Sequence, residues 1–347
     1  MTLRVLIVDD SALYRQLVKN VLRDVPGVEV VGQAKTGAEA LERLAECNPH
    51  LLTLDVQMPD MNGLEVLHAL KKMRSTAKAI MLSSLTGQGT QVTTDALLAG
   101  AFDFIQKPNS NDAGANRAAL LESLSEKIGA IRESLEIKMP RRASTNIAEP
   151  TARGGRIEAV VIGTSTGGPV ALGEVLPKLP PTLKVPIFVV QHMPARYTKS
   201  LANRLNESSL LPIQEAADGM KIEPNMVYIA PGCLHMCISK SPKGTVIKTV
   251  DDPPENNCKP SVDYLFRSAA EVYGGNLLAV ILTGMGRDGT EGCRIIKQLG
   301  GSVIAQHPEG CVVYGMPKAV VEEQLADRVI PIEKIASWIV RIVESKE

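Results

Sequence analysis

The sequence predicts an α/β protein made of two doubly wound parallel-sheet domains, and three observations support this. The chain has 347 residues with 44% hydrophobic content, enough for two cores at roughly 100–200 residues per domain. Short apolar runs rich in β-branched residues alternate with segments of helical period, as in sheets whose strands are buried on both faces. A segment rich in Pro, Gly and Arg at 139–156 interrupts this alternation once.

In the first half, a stripe of Leu and Ile at steps of three or four predicts a helix over 116–138. We expect this helix to close the first domain and to extend beyond it. The resulting domain limits are 1–124 for the first domain, 125–156 for a helical extension and linker, and 157–347 for the second domain. The strands predicted in the first domain are 4–8, 28–34, 51–54, 79–82 and 103–105.

The second domain restarts the same alternation, without sequence repetition between the halves. Its segment 220–248 is expected to be less regular. The parallel strands predicted there are 159–162, 187–191, 277–282 and 302–305.

Composition excludes several classes of protein. The 38 basic and 38 acidic residues balance, so the chain lacks the basic surface of a nucleic-acid binder. Its apolar runs fall short of the roughly 20 residues of a membrane span, and its start has no signal-peptide pattern, so we expect a cytoplasmic protein without membrane insertion. Its six cysteines form no CxxC pair and no Cys/His cluster at zinc spacing, so we expect them reduced and mostly buried.

Polar residues follow the predicted strands of the first domain. Asp9 and Asp10 end the first strand, Asp55 ends the third, Ser83 ends the fourth, and Lys107 follows the fifth. Side chains at the carboxyl ends of parallel strands share one edge of the sheet, and clustered carboxylates favour a hard cation such as Mg²⁺. Asp55 can then act as a nucleophile toward a phosphoryl donor, with Lys107 and Ser83 contacting the phosphoryl oxygens.

A structural interpretation of the same residues also exists. Asp10 or Ser11 can simply cap the helix that starts at Ala12, and Asp55 can be a surface loop residue. Each feature alone favours this interpretation, whereas five such residues in this order at strand ends favour the phosphoryl site.

These residues resemble the motifs of response-regulator receiver domains. The resemblance implies a flavodoxin-like sheet with strand order 2-1-3-4-5, Asp55 as phospho-acceptor and a histidine kinase as phosphodonor. It also implies Mg²⁺ held by Asp9, Asp10, Asp55 and the backbone carbonyl of Gln57, and a switch role for Phe104. The segments that carry it are Val8-Asp9-Asp10-Ser11, Leu54-Asp55-Val56-Gln57-Met58-Pro59, Met81-Leu82-Ser83-Ser84 and Ile105-Gln106-Lys107-Pro108.

Three catalytic residue types follow strands of the second domain. Ser165 lies in a Gly-rich turn between a strand and a helix that begins near Pro169, next to unpaired helix N–H groups. His192 and Asp288 follow two other strands, so the three can meet at one sheet edge as nucleophile, base and orienting carboxylate.

Each element of this triad has an alternative. The turn around Ser165 can cradle a phosphate. The segment 284–289 fits G-x-G-x-x-G, with Glu309 about twenty residues later, as in dinucleotide sites, although Asp288 would repel pyrophosphate there. His235 or His307 can replace His192 as the base.

The second domain resembles the catalytic domain of chemotaxis protein-glutamate methylesterases, which implies a Rossmann-like serine hydrolase. By this resemblance Ser165 is the nucleophile, His192 the general base and acid, Asp288 the orienting carboxylate, and the backbone N–H of Met285 an oxyanion donor. The segments that carry it are Ile162-Gly163-Thr164-Ser165-Thr166-Gly167-Gly168-Pro169, Gln191-His192-Met193-Pro194, Ile229-Ala230-Pro231-Gly232 and Leu282-Thr283-Gly284-Met285-Gly286-Arg287-Asp288-Gly289.

The implied activity is hydrolysis of glutamate methyl esters on chemoreceptor helices, with deamidation of receptor glutamines, and no cofactor for the ester chemistry. Phosphorylation is expected to relieve a block of the Ser165 cleft by the first domain. Two other hypotheses remain, a non-catalytic signalling adaptor and a nucleotide-dependent oxidoreductase.

Overall fold

The structure is a computed structural model that describes residues 2–84, 86–136, 156–242 and 244–345. The chain divides into two compact units, Met1–Ile137 and Lys138–Glu347. The linker predicted at 139–156 lies outside the described residues except for Arg156. Among the helices in the described ranges, none combines the length and apolar character needed to cross a membrane.

The N-terminal unit contains one five-stranded parallel sheet. Its strands match the predicted ones to within one residue at each end: β1 Leu3–Val8, β2 Val28–Ala34, β3 Leu51–Asp55, β4 Lys78–Ser83 and β5 Asp103–Gln106. The sheet order is β2-β1-β3-β4-β5, which confirms the doubly wound topology expected from the receiver resemblance. The strands are apolar because both faces are covered, and Val5 to Val8 are fully buried.

Short polar side chains start four of the five helices of this unit. The helices are α1 Ala12–Arg23, α2 Gly37–Cys47, α3 Gly63–Lys72, α4 Gly87–Leu98 and α5 Ala113–Glu136. The Ser11 hydroxyl accepts a hydrogen bond from the Tyr14 amide, so the predicted capping role of Ser11 is correct. Asn62 and Glu65 form a reciprocal capping box at α3. Helix α5 begins three residues before the predicted start, and the predicted end at Lys138 lies outside the described residues.

The C-terminal unit contains a seven-stranded sheet and a separate two-stranded antiparallel ribbon. Their strands, in chain order, are β6 Ala159–Thr164, β7 Ile187–Gln191, β8 Ile213–Glu215, β9 Val227–Ile229, β10 His235–Ser241, β11 Gly244–Val250, β12 Leu277–Ile281, β13 Ser302–Gln306 and β14 Arg328–Ile330. The large sheet has the order β14-β13-β12-β6-β7-β9-β8, with every pair parallel. The strands after β6 first build one side of the sheet and, from β12 on, the other side, so the topological switch point lies between β6 and β12, where ligand sites form in such sheets.

Seven helical segments cover this sheet. They are α6 Gly168–Val175, the single 3₁₀ turn Leu176–Lys178, α7 Tyr197–Ser208, α8 Val262–Tyr273, α9 Thr290–Gln298, α10 Met316–Glu322 and α11 Ile332–Glu344. The core between the sheet and helices α8 and α9 contains Val161, Phe188, Phe266 and Ile281, all fully buried. Burial of apolar side chains such as these is the main source of stability of this fold.

The segment 220–248, expected to be less regular, contains ordered strands. It includes β9 and most of the β10–β11 ribbon, which pairs from His235↔Val250 to Ser241↔Gly244. Only Met236, Ile238 and Ile247 provide large apolar side chains buried from this ribbon. A half-exposed antiparallel pair therefore has too weak an apolar pattern to distinguish it from loops.

Candidate functional site

Asp9, Asp55 and Lys107 meet at the carboxyl edge of the N-terminal sheet. The Nζ atom of Lys107 lies 2.7 Å from Asp9 Oδ2 and 2.9 Å from Asp55 Oδ2. Asp9 is fully buried and Asp55 is 5% exposed, so the single ammonium balances part of a buried negative charge. The sequence-predicted convergence of these three residues is therefore present in the structure.

Asp9, Asp10 and Asp55 also offer a set of oxygen ligands. One carboxylate oxygen of each lies within 4.8 Å of the others, and Asp10 is exposed to solvent. Burial raises the pKa of Asp55 to about 6, with Asp9 adding to the effect and Lys107 opposing it. Hard oxygen donors with access to water suit Mg²⁺, and a dication would favour the ionised form of Asp55.

The remaining predicted residues of this site lie around the same edge. The fully buried Ser83 hydroxyl lies 2.6 Å from Thr93 Oγ1, and the Thr93 hydroxyl donates to the Gly89 carbonyl. The Gln57 amide lies 3.4 Å from Asp55 Oδ1. Phe104 is 8% exposed on β5.

Ser165 lies directly after β6 and before α6. Its amide donates to the Thr283 carbonyl and its carbonyl accepts from the Gly168 amide, which fixes the turn. Gly167 takes a φ of 80° at the helix start, a conformation that favours glycine. Ser165 is half-buried beside the first turn of α6. The turn thus presents the hydroxyl at the switch point of the sheet.

The strand register brings His192 next to Ser165. Thr164 and Gln191 are paired across β6 and β7, and the His192 amide donates to the Thr164 carbonyl over 3.1 Å. Because Thr164 and Gln191 are the last residues of β6 and β7, Ser165 and His192 are the first residues after two strand ends that lie side by side. Asp288 follows β12, the strand on the other side of β6.

His192 and Asp288 are in direct contact. The distance from His192 Nε2 to Asp288 Oδ2 is 2.8 Å. Burial alone would lower the pKa of His192, but the hydrogen bonds and charges of Asp288 and Cys258 together outweigh burial and raise the pKa to about 9. Asp288 therefore stabilises the imidazolium form that a general base produces.

The N-terminus of α8 holds Asp288 in place. Its Oδ2 accepts from the Val262 amide over 2.6 Å, and its Oδ1 accepts from the Asp263 amide over 3.1 Å and the Ser261 hydroxyl over 2.9 Å. Burial alone would raise the pKa of Asp288, but His192 and these amides lower it well below its usual range. Burial raises the pKa of the neighbouring Asp263 to about 6, and Asn256 Nδ2 donates to both carboxylates.

No hydrogen bond joins Ser165 to His192 among the described residues. Instead, His192 Nδ1 lies 3.5 Å from Cys258 Sγ, while Nε2 contacts Asp288. Catalytic hydrogen bonds are often absent from free enzymes and form with substrate. The Ser165–His192 pairing therefore stays a prediction, supported by strand register.

The loop after β12 approaches Ser165 closely. A Cβ atom added to Gly284 would lie 2.9 Å from Ser165 Cβ and 2.3 Å from Met316 Sδ, so the loop needs glycine there. The amide of Met285, the next residue, donates to no residue within the described ranges. An unpaired amide beside the serine is what an oxyanion donor requires.

The two alternative histidines have other partners. The ring nitrogens of the buried His235 lie 3.1 Å from the Pro253 carbonyl oxygen and 3.2 Å from the Ser261 amide. Nδ1 of His307 accepts from the Glu309 amide. Asp288, which lies in the G-x-G-x-x-G segment, binds the start of α8 with its carboxylate.

Sequence reasoning missed Cys258, Asn256 and Ser261 as neighbours of the candidate triad. They come from an irregular segment before α8, and only the Ser261 N-cap has a sequence signal. The cysteines are all free, as expected, but the expectation that most are buried is wrong. Only Cys293 is buried, Cys233 is exposed, and the rest are intermediate.

Known proteins resemble both domains. A family model described as CheB methylesterase matches residues 160–339, and one described as response regulator receiver domain matches residues 5–119. The protein-glutamate methylesterase/protein-glutamine glutaminase of Desulfotalea psychrophila is 45% identical over 359 residues, covering 99% of each chain. That of Thermotoga maritima is 44% identical, covering 98% of each chain. The crystal structure of the Thermotoga maritima CheB methylesterase catalytic domain matches with a TM-score of 0.53 and 46% identity, covering 55% of this chain and 100% of that one.

The fold and sites define a two-domain response regulator in which a receiver domain precedes a methylesterase-type α/β domain. The chain belongs to the family of protein-glutamate methylesterase/protein-glutamine glutaminases.

Proposed function

We propose that this protein hydrolyses glutamate methyl esters and deamidates glutamines on chemoreceptors, with Ser165, His192 and Asp288 as its catalytic residues. The observation that carries the assignment is the register of β6 and β7, which puts Ser165 beside His192 while His192 contacts Asp288 at 2.8 Å. Three groups of complementary chemistry at the ends of three neighbouring strands are the arrangement of a serine hydrolase.

The reaction starts with attack of Ser165 Oγ on the γ-carbonyl carbon of the substrate. His192 takes the hydroxyl proton; since Nε2 is bound to Asp288, the accepting nitrogen is Nδ1, which faces Cys258 in the free protein. The Met285 amide stabilises the resulting oxyanion, a contact worth about 10²–10³ in turnover. His192 then returns the proton to the leaving methoxide, or to the departing amine for a glutamine, and methanol or ammonia leaves an acyl-Ser165.

A water molecule then attacks the acyl group. His192 removes its proton, the tetrahedral intermediate collapses, and Ser165 recovers its proton as the free glutamate leaves. The esterase chemistry in this scheme uses protein groups alone. Asp288 keeps the imidazole oriented throughout because α8 fixes the carboxylate.

Methanol release from methylated receptor membranes tests the nucleophile. Ser165→Ala should abolish release but leave phosphorylation intact, whereas Ser337→Ala, an exposed serine on α11, should behave as wild type. A Ser165→Ala protein that still releases methanol would overturn the assignment, and a non-catalytic adaptor predicts no release from either protein.

Regulation is proposed to act through Asp55. Asp9, Asp10, Asp55 and the Gln57 carbonyl would hold Mg²⁺, which neutralises charge on the incoming phosphoryl group. Lys107, already bridging Asp9 and Asp55, would contact one phosphoryl oxygen. The Ser83 hydroxyl would turn away from Thr93 and contact a second phosphoryl oxygen. Phe104, nearby on β5, would repack as Ser83 moves.

A small phosphodonor tests this regulation. It should phosphorylate the wild-type chain and raise its methanol release, and Asp55→Asn should lose both responses. Asp60→Asn, an exposed carboxylate in the following loop, is the matched control and should keep both. Activation of the Asp55→Asn protein by the phosphodonor would exclude Asp55 as the acceptor.

The implied partners follow from this chemistry. A histidine kinase would supply the phosphoryl group in the cell, and receptor helices would present the glutamyl side chains. Both partners imply that the protein acts in the cytoplasm.

A further inference from the structure

Cys258 is the one thiol of the C-terminal unit in contact with the candidate triad among the described residues. Its Sγ lies 3.5 Å from His192 Nδ1, and His192 Nε2 lies 2.8 Å from Asp288 Oδ2. One ligand atom of each of the three residues lies within 4.8 Å of the other two. The three residues are far apart in sequence, so the fold alone assembles a sulfur, a nitrogen and an oxygen donor.

The environment of Cys258 differs from that of comparable thiols. The half-buried Cys47, Cys237 and Cys311 each donate their S–H to a backbone carbonyl, of Val31, Lys248 and His307 respectively. Cys258 instead faces an imidazole nitrogen. A thiol beside an imidazole and a carboxylate is a metal-ligand combination rather than an ordinary packing position.

We propose that Cys258, His192 and Asp288 form a binding site for a thiophilic divalent cation such as Zn²⁺. In a tetrahedral zinc site the ligand atoms lie about 3.4–3.7 Å apart, given metal–ligand distances of about 2.0–2.3 Å. The observed contacts of 2.8 and 3.5 Å involve opposite ring nitrogens, Nε2 toward Asp288 and Nδ1 toward Cys258. Since one ligand atom of each residue already lies within 4.8 Å of the other two, binding requires the side chains to rotate so that a single ring nitrogen, the sulfur and a carboxylate oxygen surround the ion.

Charge and solvent access fit such an ion. A thiolate and a carboxylate balance a dication, which matters because Asp288 is 2% exposed. The side chain of His192 is 13% exposed and Cys258 is half-buried, which leaves room for a water as fourth ligand. The amides of Val262 and Asp263 and the Ser261 hydroxyl orient Asp288, as outer partners do in metal sites.

The two candidate metal sites found among the described residues select different ions. The cluster at Asp55 offers only oxygen ligands and suits Mg²⁺, whereas a thiolate favours softer ions such as Zn²⁺ and Cd²⁺. Coordination at Cys258 would occupy an imidazole nitrogen of His192 and an oxygen of Asp288. The ion should therefore inhibit hydrolysis reversibly; this consequence rests on the proposed function, whereas binding itself does not.

Cd²⁺ is the probe that tests binding, because its thiolate complex absorbs in the near ultraviolet. The full-length chain is titrated with Cd²⁺ in excess Mg²⁺, which fills the acidic cluster. The wild type and Ser165→Ala should show one thiolate-bound equivalent that Zn²⁺ displaces. Cys258→Ser should weaken binding by at least about 10²-fold, while Cys237→Ser, the matched half-buried thiol, should bind as wild type.

Circular dichroism and the melting temperature establish that each variant is folded. The metal site is overturned if the wild type shows no thiolate absorption, if Cys258→Ser retains it, or if Cys237→Ser loses it equally. A misfolded Cys258→Ser is replaced by Cys258→Ala, judged by the same criteria.

Methanol release then tests the consequence. Zn²⁺ should inhibit the wild type, a chelator should restore release, and Cys258→Ser should require at least about 10²-fold more Zn²⁺ for half-inhibition. Full activity of the wild type with bound Zn²⁺ would overturn the inhibition. If the serine mechanism is wrong, Ser165→Ala will still release methanol. That result would leave the metal-binding measurement unchanged, so the two failures are distinguishable.

Discussion

The contact between His192 and Asp288 leads to a quantitative prediction for Asp288→Asn. Asp288 Oδ2 accepts from His192 Nε2 and the Val262 amide, while Oδ1 accepts from Ser261, Asp263 and Asn256. An asparagine replaces one of these oxygens by an NH₂ group. The less costly orientation puts NH₂ at the Oδ2 position, because that oxygen has fewer donors.

In this orientation the NH₂ group faces the Val262 amide and His192 Nε2. The imidazole then accepts at Nε2 and carries its proton on Nδ1, so Nδ1 cannot accept the serine proton. Loss of the correct tautomer costs about 10⁴ in turnover in the equivalent change of a serine protease. Loss of one charge-assisted hydrogen bond and repulsion of the Val262 amide should lower stability by about 2–3 kcal/mol.

Methanol release and urea unfolding of Asp288→Asn measure these two effects. The control is Asp218→Asn, an exposed carboxylate that accepts one amide hydrogen bond from Thr249 and should keep full activity. An Asp288→Asn protein that unfolds cooperatively and releases methanol within tenfold of the wild-type rate would refute the tautomer argument.

Three further predictions concern other parts of the molecule. Gly284→Ala should lower methanol release by at least about 10²-fold by displacing the oxyanion loop, while Gly129→Ala, in open space on α5, should stabilise the chain by about 0.5–1 kcal/mol in urea unfolding. Mg²⁺ at 100 times its Kd should stabilise the wild type by about 2.7 kcal/mol in thermal unfolding, and Asp10→Asn should lose most of this gain. Burial raises the pKa of Cys311 from 9.0 to about 12, so its thiolate fraction at pH 8 falls about 10³-fold. Iodoacetamide should therefore label the exposed Cys233 long before it labels Cys311. Equal labelling rates of Cys233 and Cys311 would contradict the last prediction. The other two would be contradicted if Mg²⁺ stabilised Asp10→Asn as much as the wild type, or if Gly284→Ala released methanol at the wild-type rate.

The parallel sheets were predictable because their strands are buried on both faces. Strands β1, β2, β3 and β7 differ from the predicted limits by at most one residue at either end, since continuous apolar runs mark them in the sequence. The β10–β11 ribbon has no such mark, because it buries few large side chains and its pairing depends on a partner strand.

The candidate site was predictable where it depends on strand ends. Ser165, His192 and Asp288 each follow a strand of the parallel sheet, and strand order together with register then fixes how close they lie. The same reasoning brings Asp9, Asp55 and Lys107 together in the first domain.

The sequence by itself determined the fold class, the positions of the buried strands and the residue types at their ends, because apolar periodicity is a local property of the chain. Only the tertiary structure decided which groups touch the imidazole and the carboxylate. Cys258 at His192, the α8 amides at Asp288 and Thr93 at Ser83 all come from separate segments. Such contacts depend on how loops and helix ends pack together, and no local pattern encodes that packing.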